Sequence, residues 1–462
     1  MIRMKDRVIK EKNLLVVYLD FPEDPAISFP AIILKYLVRL GWSVTIVVIQ
    51  PGEQPKTLLE DWSGVQILKI TPGLNLFSSL LSRLYSKRLR DVEELHLAAA
   101  KKGEQPKARP PHNFVGIFRA FANTVLNAFG NYYYFRNDVM RTLMKIHMKR
   151  PFSAVLSVYW GPFTSHLVAR QFAREYQIPW VAFIKDYWSE KEGPSGIVSP
   201  VLRTFESLWY TFKRHVEARV LRDADIILSH CKPVADYLRK LVPEAKMGVL
   251  SNCYDEEDFT EDLQLKMQAN DGIFTALCLG NLGVHQRYDM LFEALRNLCT
   301  ANAIDSGNFR VRFVGPATDL IHSYAEAYSC SDIVDSVPHV GHKEAMSFLK
   351  QATCLLFPSA PNALGRRTPE YMATRKPILV FPSDNNDVIQ KIMEGYGAAF
   401  IARDSQEIAT TLIEWYRAFK AGGSISGPIQ EGLVQSFKAS ERALELQEVL
   451  IHVLRNKKKT RW

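Results

Sequence analysis

The sequence predicts an α/β protein with two consecutive parallel, doubly wound sheets. Three observations favour this class: a strand-helix-strand unit opens the chain, apolar strands then alternate with amphipathic helices, and a second series of such units follows a polar interruption. With 462 residues, 47% of them apolar, the chain is long enough for two or three domains with full-sized cores.

The first domain is expected at residues 1–255. The apolar run Leu14–Leu19 predicts a strand, residues 31–41 predict an amphipathic helix that Gly41 ends, and residues 43–49 predict the next strand. Because mixed charges precede the first strand and no cleavage site follows it, we do not expect a signal peptide. Further strands are predicted at Ala154–Tyr159, Trp180–Ile184 and Ala224–Ser229.

A polar, mostly acidic stretch at 256–272 predicts a linker, and the second domain follows at 273–425. Its strands are predicted at 274–280, 309–315, 334–340, 353–358, 377–381 and 398–401, and its helices near 286–299, 319–329, 343–351, 368–374, 385–394 and 405–419. Residues 426–462 predict a C-terminal helix that can pack back on the first domain. Since ligands of open α/β sheets bind beyond the carboxyl ends of the strands, we expect a site in a cleft between the domains.

One segment, residues 74–150, departs from the alternation because it contains no convincing strand and is rich in basic residues. It includes an amphipathic helix with an apolar face formed by Ile117, Phe118, Phe121, Val125, Phe129 and Tyr132. This combination is typical of peripheral contact with an anionic membrane. The alternative is a helix packed on the first domain beside a solvated charged loop.

The charge and the cysteines limit the partners and the compartment. The formal net charge of +9 favours an anionic partner, but no interleaved basic and aromatic platform supports nucleic acid. The six cysteines form no Cys-x-x-Cys pair, and no histidine stands near them at ligand spacing, which favours a reducing, cytosolic compartment. No stretch reaches the roughly 18 apolar residues that cross a bilayer.

Two strand ends in the second domain carry glycine turns. Gly280 and Gly283 form a Gly-x-x-Gly turn between a strand and a helix, and VGPATD at 314–319 is a weaker signal of the same kind. Glycine lets the backbone approach a ligand, and the following helix offers free N–H groups to a diphosphate.

A third strand end precedes the stretch RRTPEYMATRKPILVF. Gly365 allows a tight turn, Arg366, Arg367 and Thr368 begin a helix, and Glu370 lies in its first turn. A carboxylate there either stabilises the helix dipole or accepts hydrogen bonds from the vicinal hydroxyls of a ribose.

These motifs together resemble the retaining glycosyltransferases of the GT-B fold, in the family-four group that builds lipopolysaccharide, capsule and exopolysaccharide. The resemblance implies two Rossmann-like domains facing each other across a cleft. It also implies transfer of a sugar from a nucleotide-diphosphate donor to an acceptor hydroxyl, with retained configuration, no metal and no other cofactor. The segments that carry it, in the family's order, are LGWSVTIVVI, IPWVAFIKDYW, DADIILSHCKPVADYL, VLSNCYDEEDF, LGNLGVHQRYDMLFEAL, VPHVGHKEAMSFLKQATCLLFPS and PEYMATRKPIL.

The resemblance assigns the donor site to the second domain. The family has two glutamates with seven residues between them. The second, which contacts the ribose, corresponds to Glu370, whereas the first, which contacts the donor sugar, falls on Asn362. We expect this departure to alter sugar recognition without abolishing activity.

The family's diphosphate-binding arginine and lysine fall on Asn281 and Gln286, which are not basic. Arg287, one position further, could reach the same charge, and Arg366 and Arg367 could add to it through paired hydrogen bonds.

In the first domain the family's glycine-rich loop is replaced by FPEDPAISFPA, which has no glycine. The IKDYW segment resembles an Arg-Asp-x-Trp signature with Lys185 in place of arginine, and Asp186 and Trp188 should face the cleft. A buried aspartate and a core tryptophan are the equally weighted alternative. His166 could face the cleft, although a lone histidine is more often merely packed.

The predicted protein is therefore a cytoplasmic glycosyltransferase that can contact the inner face of the plasma membrane. Its partners would be a nucleotide sugar and a glycan or lipid-linked acceptor. Two alternatives remain: a nucleotide-sugar epimerase, and a degenerate transferase that serves as a binding protein or scaffold.

Overall fold

The computed structural model describes residues 12–50, 56–71, 131–159, 163–189, 200–260, 272–280, 286–359, 365–382 and 387–457, apart from positions 20, 23, 24, 26, 27, 424 and 426. These residues form two compact units. The first comprises the described residues up to 251 and those from 439 onward, and the second comprises the described residues of 252–438. Each unit contains its own largely parallel sheet, which confirms the predicted α/β class with two parallel-sheet domains.

The strands are β1 Asn13–Val17, β2 Ser43–Ile49, β3 Lys56–Trp62, β4 Val65–Thr71, β5 Ala154–Tyr159, β6 Trp180–Ile184, β7 Ile226–Ser229, β8 Met247–Val249, β9 Phe274–Leu279, β10 Phe309–Val314, β11 Val334–Val337, β12 Cys354–Pro358, β13 Ile378–Phe381 and β14 Ala399–Ile401. The helices are α1 Phe29–Arg39, α2 Asn131–Lys149, α3 Thr164–Glu175, α4 Pro200–Leu221, α5 Lys232–Leu241, α6 Tyr288–Thr300, α7 Thr318–Ala327, α8 His342–Gln351, α9 Arg367–Ala373, α10 Asp387–Tyr396, α11 Ser405–Lys420, α12 Glu431–Gln435 and α13 Ala439–Lys457. A short 3-10 helix spans Glu256–Phe259.

The sheet of the first unit has the order β3-β4-β2-β1-β5-β6-β7-β8. Neighbouring strands are parallel except for the antiparallel pair β3 and β4. Strand β1 lies between β2 and β5, with Leu14 opposite both Val44 and Ala154. Every residue of β1 is buried, which explains its continuous apolar run, since a central parallel strand is covered on both faces.

The hairpin formed by β3 and β4 was not predicted. Its turn consists of Ser63 and Gly64, whose φ angles of 52° and 84° are those of a two-residue hairpin turn with left-handed residues. A Cβ atom at Gly64 would lie 2.9 Å from a side-chain carbon of Val38, so glycine is also required for packing. Strand β3 is mostly exposed, and its sequence KTLLEDW therefore lacks the apolar run that identified the other strands.

Helix α1 and the C-terminal helix α13 pack against each other in the first unit. Gly41, with a φ of 84°, follows the end of α1, as predicted. Lys12 Nζ and Trp42 Nε1 both donate to Gln447 Oε1 of α13, each over 3.2 Å. Helix α13 therefore belongs to the first unit although it follows the second unit in sequence.

The sheet of the second unit is wholly parallel, with the order β11-β10-β9-β12-β13-β14. Counted from β9, this is the order 3-2-1-4-5-6 of a doubly wound nucleotide-binding sheet. The strand order reverses between β9 and β12, so the carboxyl ends of these two strands are where such a sheet binds its ligand.

Stacked aromatic rings support these strands from below. Phe274 of β9 stacks on Phe309 of β10 with ring centres 5.2 Å apart, and Phe292 of α6 stacks on Phe313 at 5.8 Å. All four rings are buried, and burial of each side chain is worth roughly 2–3 kcal/mol. This packing holds β9 and β10 in place beneath their carboxyl ends.

Most of the predicted basic insertion lies outside the described residues, including the apolar face from Ile117 to Phe129. Of residues 74–150, the structure describes only 131–150, which contain helix α2. No helix in the described part of the chain is long and apolar enough to cross a membrane.

Candidate functional site

Two glycines shape the switch point of the second unit. Gly280 follows β9 with a φ of 110°, a conformation that residues with a Cβ rarely adopt. A Cβ at Gly315, which follows β10, would lie 2.4 Å from the carbonyl oxygen of Gly280. The two strand ends can therefore approach this closely only because position 315 is glycine, while the backbone conformation at position 280 favours glycine there.

Arg367 lies against this glycine pair. Its Nη2 atom lies 2.8 Å from the position that a Cβ at Gly280 would occupy. Helix α9 is fixed to β9 by Tyr371, whose hydroxyl accepts a hydrogen bond of 2.8 Å from the Leu279 N–H. Burial alone would lower the pKa of Arg367, but the neighbouring Tyr371 phenol and Glu370 carboxylate favour the charged form, and the pKa is raised overall. The guanidinium therefore places a fixed positive charge beneath the Gly280 turn.

Glu370 forms an ion pair with Arg366, one turn earlier. Arg366 Nη2 lies 2.6 Å from Glu370 Oε1, and the two side chains are only 17% and 10% exposed. No side chain caps the N-terminus of α9, so the carboxylate bonds a side chain rather than the helix backbone. Glu370 Oε2 makes no hydrogen bond to any residue that the structure describes, so it can accept one from a ligand.

Gly365, which precedes the Arg366–Glu370 pair, and Thr368, which lies between its two members in sequence, differ in solvent exposure. Gly365 is exposed, with no atom within 4 Å of its missing Cβ. Thr368 is completely buried, and within the described chain its Oγ1 has no hydrogen-bond partner. Thr368 thus lies in the packing of α9, and in this conformation its hydroxyl does not reach solvent.

The two residues that precede α6, Gln286 and Arg287, both form hydrogen bonds with other protein groups. Arg287 forms a forked hydrogen bond with Asp289, with distances from 2.9 to 3.1 Å. Gln286 Nε2 donates to the carbonyl of Pro358 at the end of β12 over 3.1 Å, and Gln286 Oε1 accepts from the Tyr288 hydroxyl over 2.5 Å. Gln286 therefore links the start of α6 to the end of β12.

Three predicted site residues, Asn281, Gly283 and Asn362, lie outside the described residues. The structure thus brings together Gly280, Arg366, Arg367 and Glu370, and it places Arg287 at the N-terminus of α6 with its charge balanced by Asp289.

In the first unit, Asp186 lies just beyond the end of β6 and is exposed. Trp188 is buried and stacks on Phe163, with ring centres 4.4 Å apart and an interplanar angle of 14°. Lys185 places its Nζ 4.7 Å from the ring centre of Phe29. The IKDYW segment therefore presents the aspartate at the surface while its tryptophan fixes the loop in the core.

His166 is fully buried on α3 and is not positioned to contact a substrate. Its Nδ1 lies 2.7 Å from the Ser157 hydroxyl, which also accepts a hydrogen bond from Trp180 Nε1. Burial lowers the pKa of His166 from 6.5 to about 3, so the ring is neutral near pH 7. Because no part of the ring reaches solvent, the structure favours the packed alternative for His166 over the predicted catalytic role.

Two polar groups escaped the sequence analysis. Glu217, buried on α4, accepts hydrogen bonds from Ser189 and Tyr237, and burial raises its pKa to about 7. His342, the first residue of α8, contacts both Asp258 and Arg366. For the first group the usable signal was a glutamate at helical spacing from Val220 and Leu221, whereas the second group joins residues far apart in sequence.

No group of three or more His, Cys, Asp or Glu side chains within the described ranges could hold a metal ion. The six cysteines, all of which the structure describes, are free thiols.

Comparison with known proteins agrees with this geometry. Residues 239–418 match the family described as glycosyl transferases group 1. No curated protein matches the chain by sequence.

Several solved structures share the fold over nearly the whole chain. Sucrose-phosphate synthase from Thermosynechococcus elongatus superposes with a TM-score of 0.62 at 14% identity, covering 96% of this chain and all of that one. HepE from Anabaena, in complex with UDP and glucose, gives a TM-score of 0.57 at 11% identity, with 95% and 99% covered. The trehalose 6-phosphate synthase of Burkholderia multivorans gives 0.57 at 11% identity, with 97% and 99% covered. The chain therefore has the GT-B fold of glycosyltransferases, and most of its second unit matches the group 1 glycosyl transferase family.

Proposed function

We propose that this protein is a glycosyltransferase that moves a sugar from a nucleotide-diphosphate donor to an acceptor hydroxyl. The observation that carries the proposal is the convergence of Arg367 on the Gly280 turn beside the Arg366–Glu370 pair, at the switch point of the second unit. The match of residues 239–418 to a transferase family supports it, as does the UDP and glucose complex of the Anabaena structure.

The two charged side chains would contact different parts of the donor. Glu370 Oε2 would accept hydrogen bonds from the ribose hydroxyls, while the half-buried Arg367 guanidinium would face the diphosphate above Gly280. In the transition state negative charge develops on the leaving diphosphate, and a positive charge already held in place stabilises it without reorganisation. Asn362 would contact the donor sugar, and the exposed Asp186 would contact the acceptor.

We further propose that transfer retains the anomeric configuration and uses the arginine charge rather than a metal ion. The resemblance to family-four enzymes is the basis for both expectations. Loss of activity in EDTA that Mg²⁺ or Mn²⁺ restores would contradict metal independence, and NMR of the product anomer tests retention.

The proposed acceptor is a lipid-linked or growing polysaccharide of the lipopolysaccharide, capsule or exopolysaccharide type. The basic composition of residues 74–150 is the basis for this choice, since an acceptor on an anionic membrane would be reached through such a segment. Liposome flotation with and without anionic lipid tests it. Equal recovery of the protein with both liposomes, or no binding, would contradict membrane contact.

Thermal-shift titration with UDP, GDP and related diphosphates tests donor binding. At a ligand concentration of 100 Kd, binding should stabilise the protein by about 2.7 kcal/mol. Glu370→Ala should remove most of the shift, whereas Glu344→Ala, which removes an exposed first-turn carboxylate from α8, should retain it. A screen of mass-tagged nucleotide sugars then identifies the donor.

Gln286 favours a second candidate, a transferase-like binding protein without turnover. Where the family has a basic residue, this chain has an amide whose hydrogen bonds go to Pro358 and Tyr288. Absence of stabilisation by any nucleoside diphosphate would favour this candidate. Conversion of a nucleotide sugar to its epimer without acceptor would instead indicate an epimerase.

A further inference from the structure

A chain of polar contacts leads from Glu370 to a segment remote in sequence. Arg366 Nη2 lies 2.6 Å from Glu370 Oε1 and 3.5 Å from His342 Nδ1. The other ring nitrogen of His342, Nε2, lies 2.7 Å from Asp258 Oδ2. Glu370 lies in α9 and Arg366 directly precedes it, His342 is the first residue of α8, and Asp258 lies in the 3-10 helix Glu256–Phe259.

The chemistry of these groups fixes the protons along the chain. A carboxylate accepts hydrogen bonds and a guanidinium only donates them. The Nε2 atom of His342 must therefore carry a hydrogen and donate it to Asp258. In the neutral ring, Nδ1 then presents its lone pair to Arg366. Asp258 thus selects the one neutral tautomer of His342 that can accept a hydrogen bond from Arg366.

Arg366 depends on these contacts for its orientation. Its Nε atom is buried and, among the described residues, has no hydrogen-bond partner. Its Nη2 atom is therefore held by Glu370 on one side and His342 on the other. Because Glu370 bonds Arg366 through Oε1, the direction of its second oxygen, Oε2, follows from where Arg366 is held.

We infer that Asp258 and His342 are positioning residues that act through Arg366 to aim Glu370 at the ribose of a nucleoside diphosphate. The inference rests on the proposed function of this site and adds two residues to it. Asp258 lies 84 positions from His342, so no local motif links them.

The substitution Asp258→Asn tests the arrangement with almost no change in shape. Its amide can either accept a hydrogen from Nε2 through its oxygen or donate to Nε2 through its nitrogen, and it carries no charge. The variant therefore no longer selects the tautomer of His342 whose Nδ1 accepts from Arg366. We expect the affinity for UDP, or for whichever nucleoside diphosphate stabilises the wild type best, to fall roughly three- to tenfold by calorimetry. We also expect ¹⁵N NMR of labelled histidine to show a smaller share of the tautomer with its hydrogen on Nε2.

Asp335→Asn is the matched control. It removes a carboxylate paired with Arg312 at 2.7 Å, on strand β11 of the same unit, and should leave the affinity unchanged. If Asp258→Asn does not fold, His342→Leu and His342→Gln replace it. Leucine removes both polar contacts of residue 342, whereas the glutamine amide can donate to Asp258 and accept from Arg366. Only the leucine variant should therefore lose affinity.

A double-mutant cycle shows whether the effect passes through Arg366. In an Arg366→Gln background, Asp258→Asn should cause no further loss. Wild-type affinity in both Asp258→Asn and His342→Leu, or an equal loss in both backgrounds, would overturn the inference while the proposed function stands. If no nucleoside diphosphate binds the wild type at all, both fall together.

Discussion

At the scale of single residues, Arg367 and Glu370 should be separable by the ligands that they recognise. Arg367→Lys retains the positive charge but loses the planar fork that bonds a diphosphate, so the affinity for UDP should fall roughly tenfold or more. The affinity for uridine, which has no phosphate, should not change. Glu370→Gln should weaken both ligands, because both contain the ribose.

Calorimetric titration of each variant with UDP and uridine measures this difference, and a matching base can replace uracil if another diphosphate binds better. Uridine affinity that falls with Arg367→Lys as much as UDP affinity does would assign Arg367 to the nucleoside instead.

Glu217 makes the stability of the first unit depend on pH. Burial raises its pKa from 4.5 to about 7, although hydrogen bonds from Ser189 and Tyr237 oppose this. The folded state therefore binds the proton more tightly than the unfolded state does. The resulting stabilisation is complete below pH 4.5 and is lost as the pH rises through about 7.

Relative to Glu217→Gln, which is neutral throughout, the wild type should lose about 3 kcal/mol of unfolding free energy across this window. Urea unfolding at a series of pH values measures the difference between the two proteins. The exposed Glu175→Gln substitution serves as control and should run parallel to the wild type. A difference between wild type and Glu217→Gln that does not vary with pH would show that Glu217 is ionised in the fold.

At the scale of elements, the close approach of two strand ends depends on Gly315. A Cβ there would meet the Gly280 carbonyl oxygen at 2.4 Å, and backbone cannot yield as a side chain does. We expect Gly315→Ala to destabilise the second unit by about 1–3 kcal/mol and to weaken nucleotide binding, since Gly280 must shift away from Arg367. Gly432→Ala is the control, because nothing lies within 4 Å of that position and it sits in helix α12.

Chemical denaturation and thermal shift with nucleotide measure the two effects. Equal stability of Gly315→Ala and Gly432→Ala would mean that the two strand ends can separate without cost.

The elements that could be predicted are those whose burial requires a recognisable pattern of apolar residues in the sequence. Strands β1 and β9 were found because both faces are covered, which requires consecutive apolar residues. Strand β3 was missed because it is an exposed edge strand, and only the Ser-Gly turn marked it. The helix end at Gly41 was predicted because a left-handed residue there favours glycine.

The site was predicted only as far as its motifs are local. Arg367 and Glu370 lie in the first turn of α9 and Arg366 directly precedes it, so their proximity could be predicted from the stretch that contains them. The contact between Arg366 and His342 could not be predicted from the sequence, because it depends on how α8 and α9 pack. His166 was misjudged for the same reason, since a helix that follows a strand does not reveal which face covers the sheet.

At the scale of the whole molecule, the two units have separate sheets and separate cores. A donor that binds the second unit's site should therefore slow amide hydrogen exchange more in that unit than in the first. Hydrogen exchange with and without UDP should show slower exchange in peptides around Gly280, Gly315 and 365–373, where the strand ends and α9 meet. Peptides from β1 and β2 should change much less, since their amides belong to the other sheet. Protection that is equal in both units would indicate a global stabilisation unrelated to this site, and protection confined to the first unit would place the nucleotide there. The variant Glu370→Ala, measured at the same UDP concentration, should show almost none of this protection if the nucleotide binds beside Glu370 and Arg367.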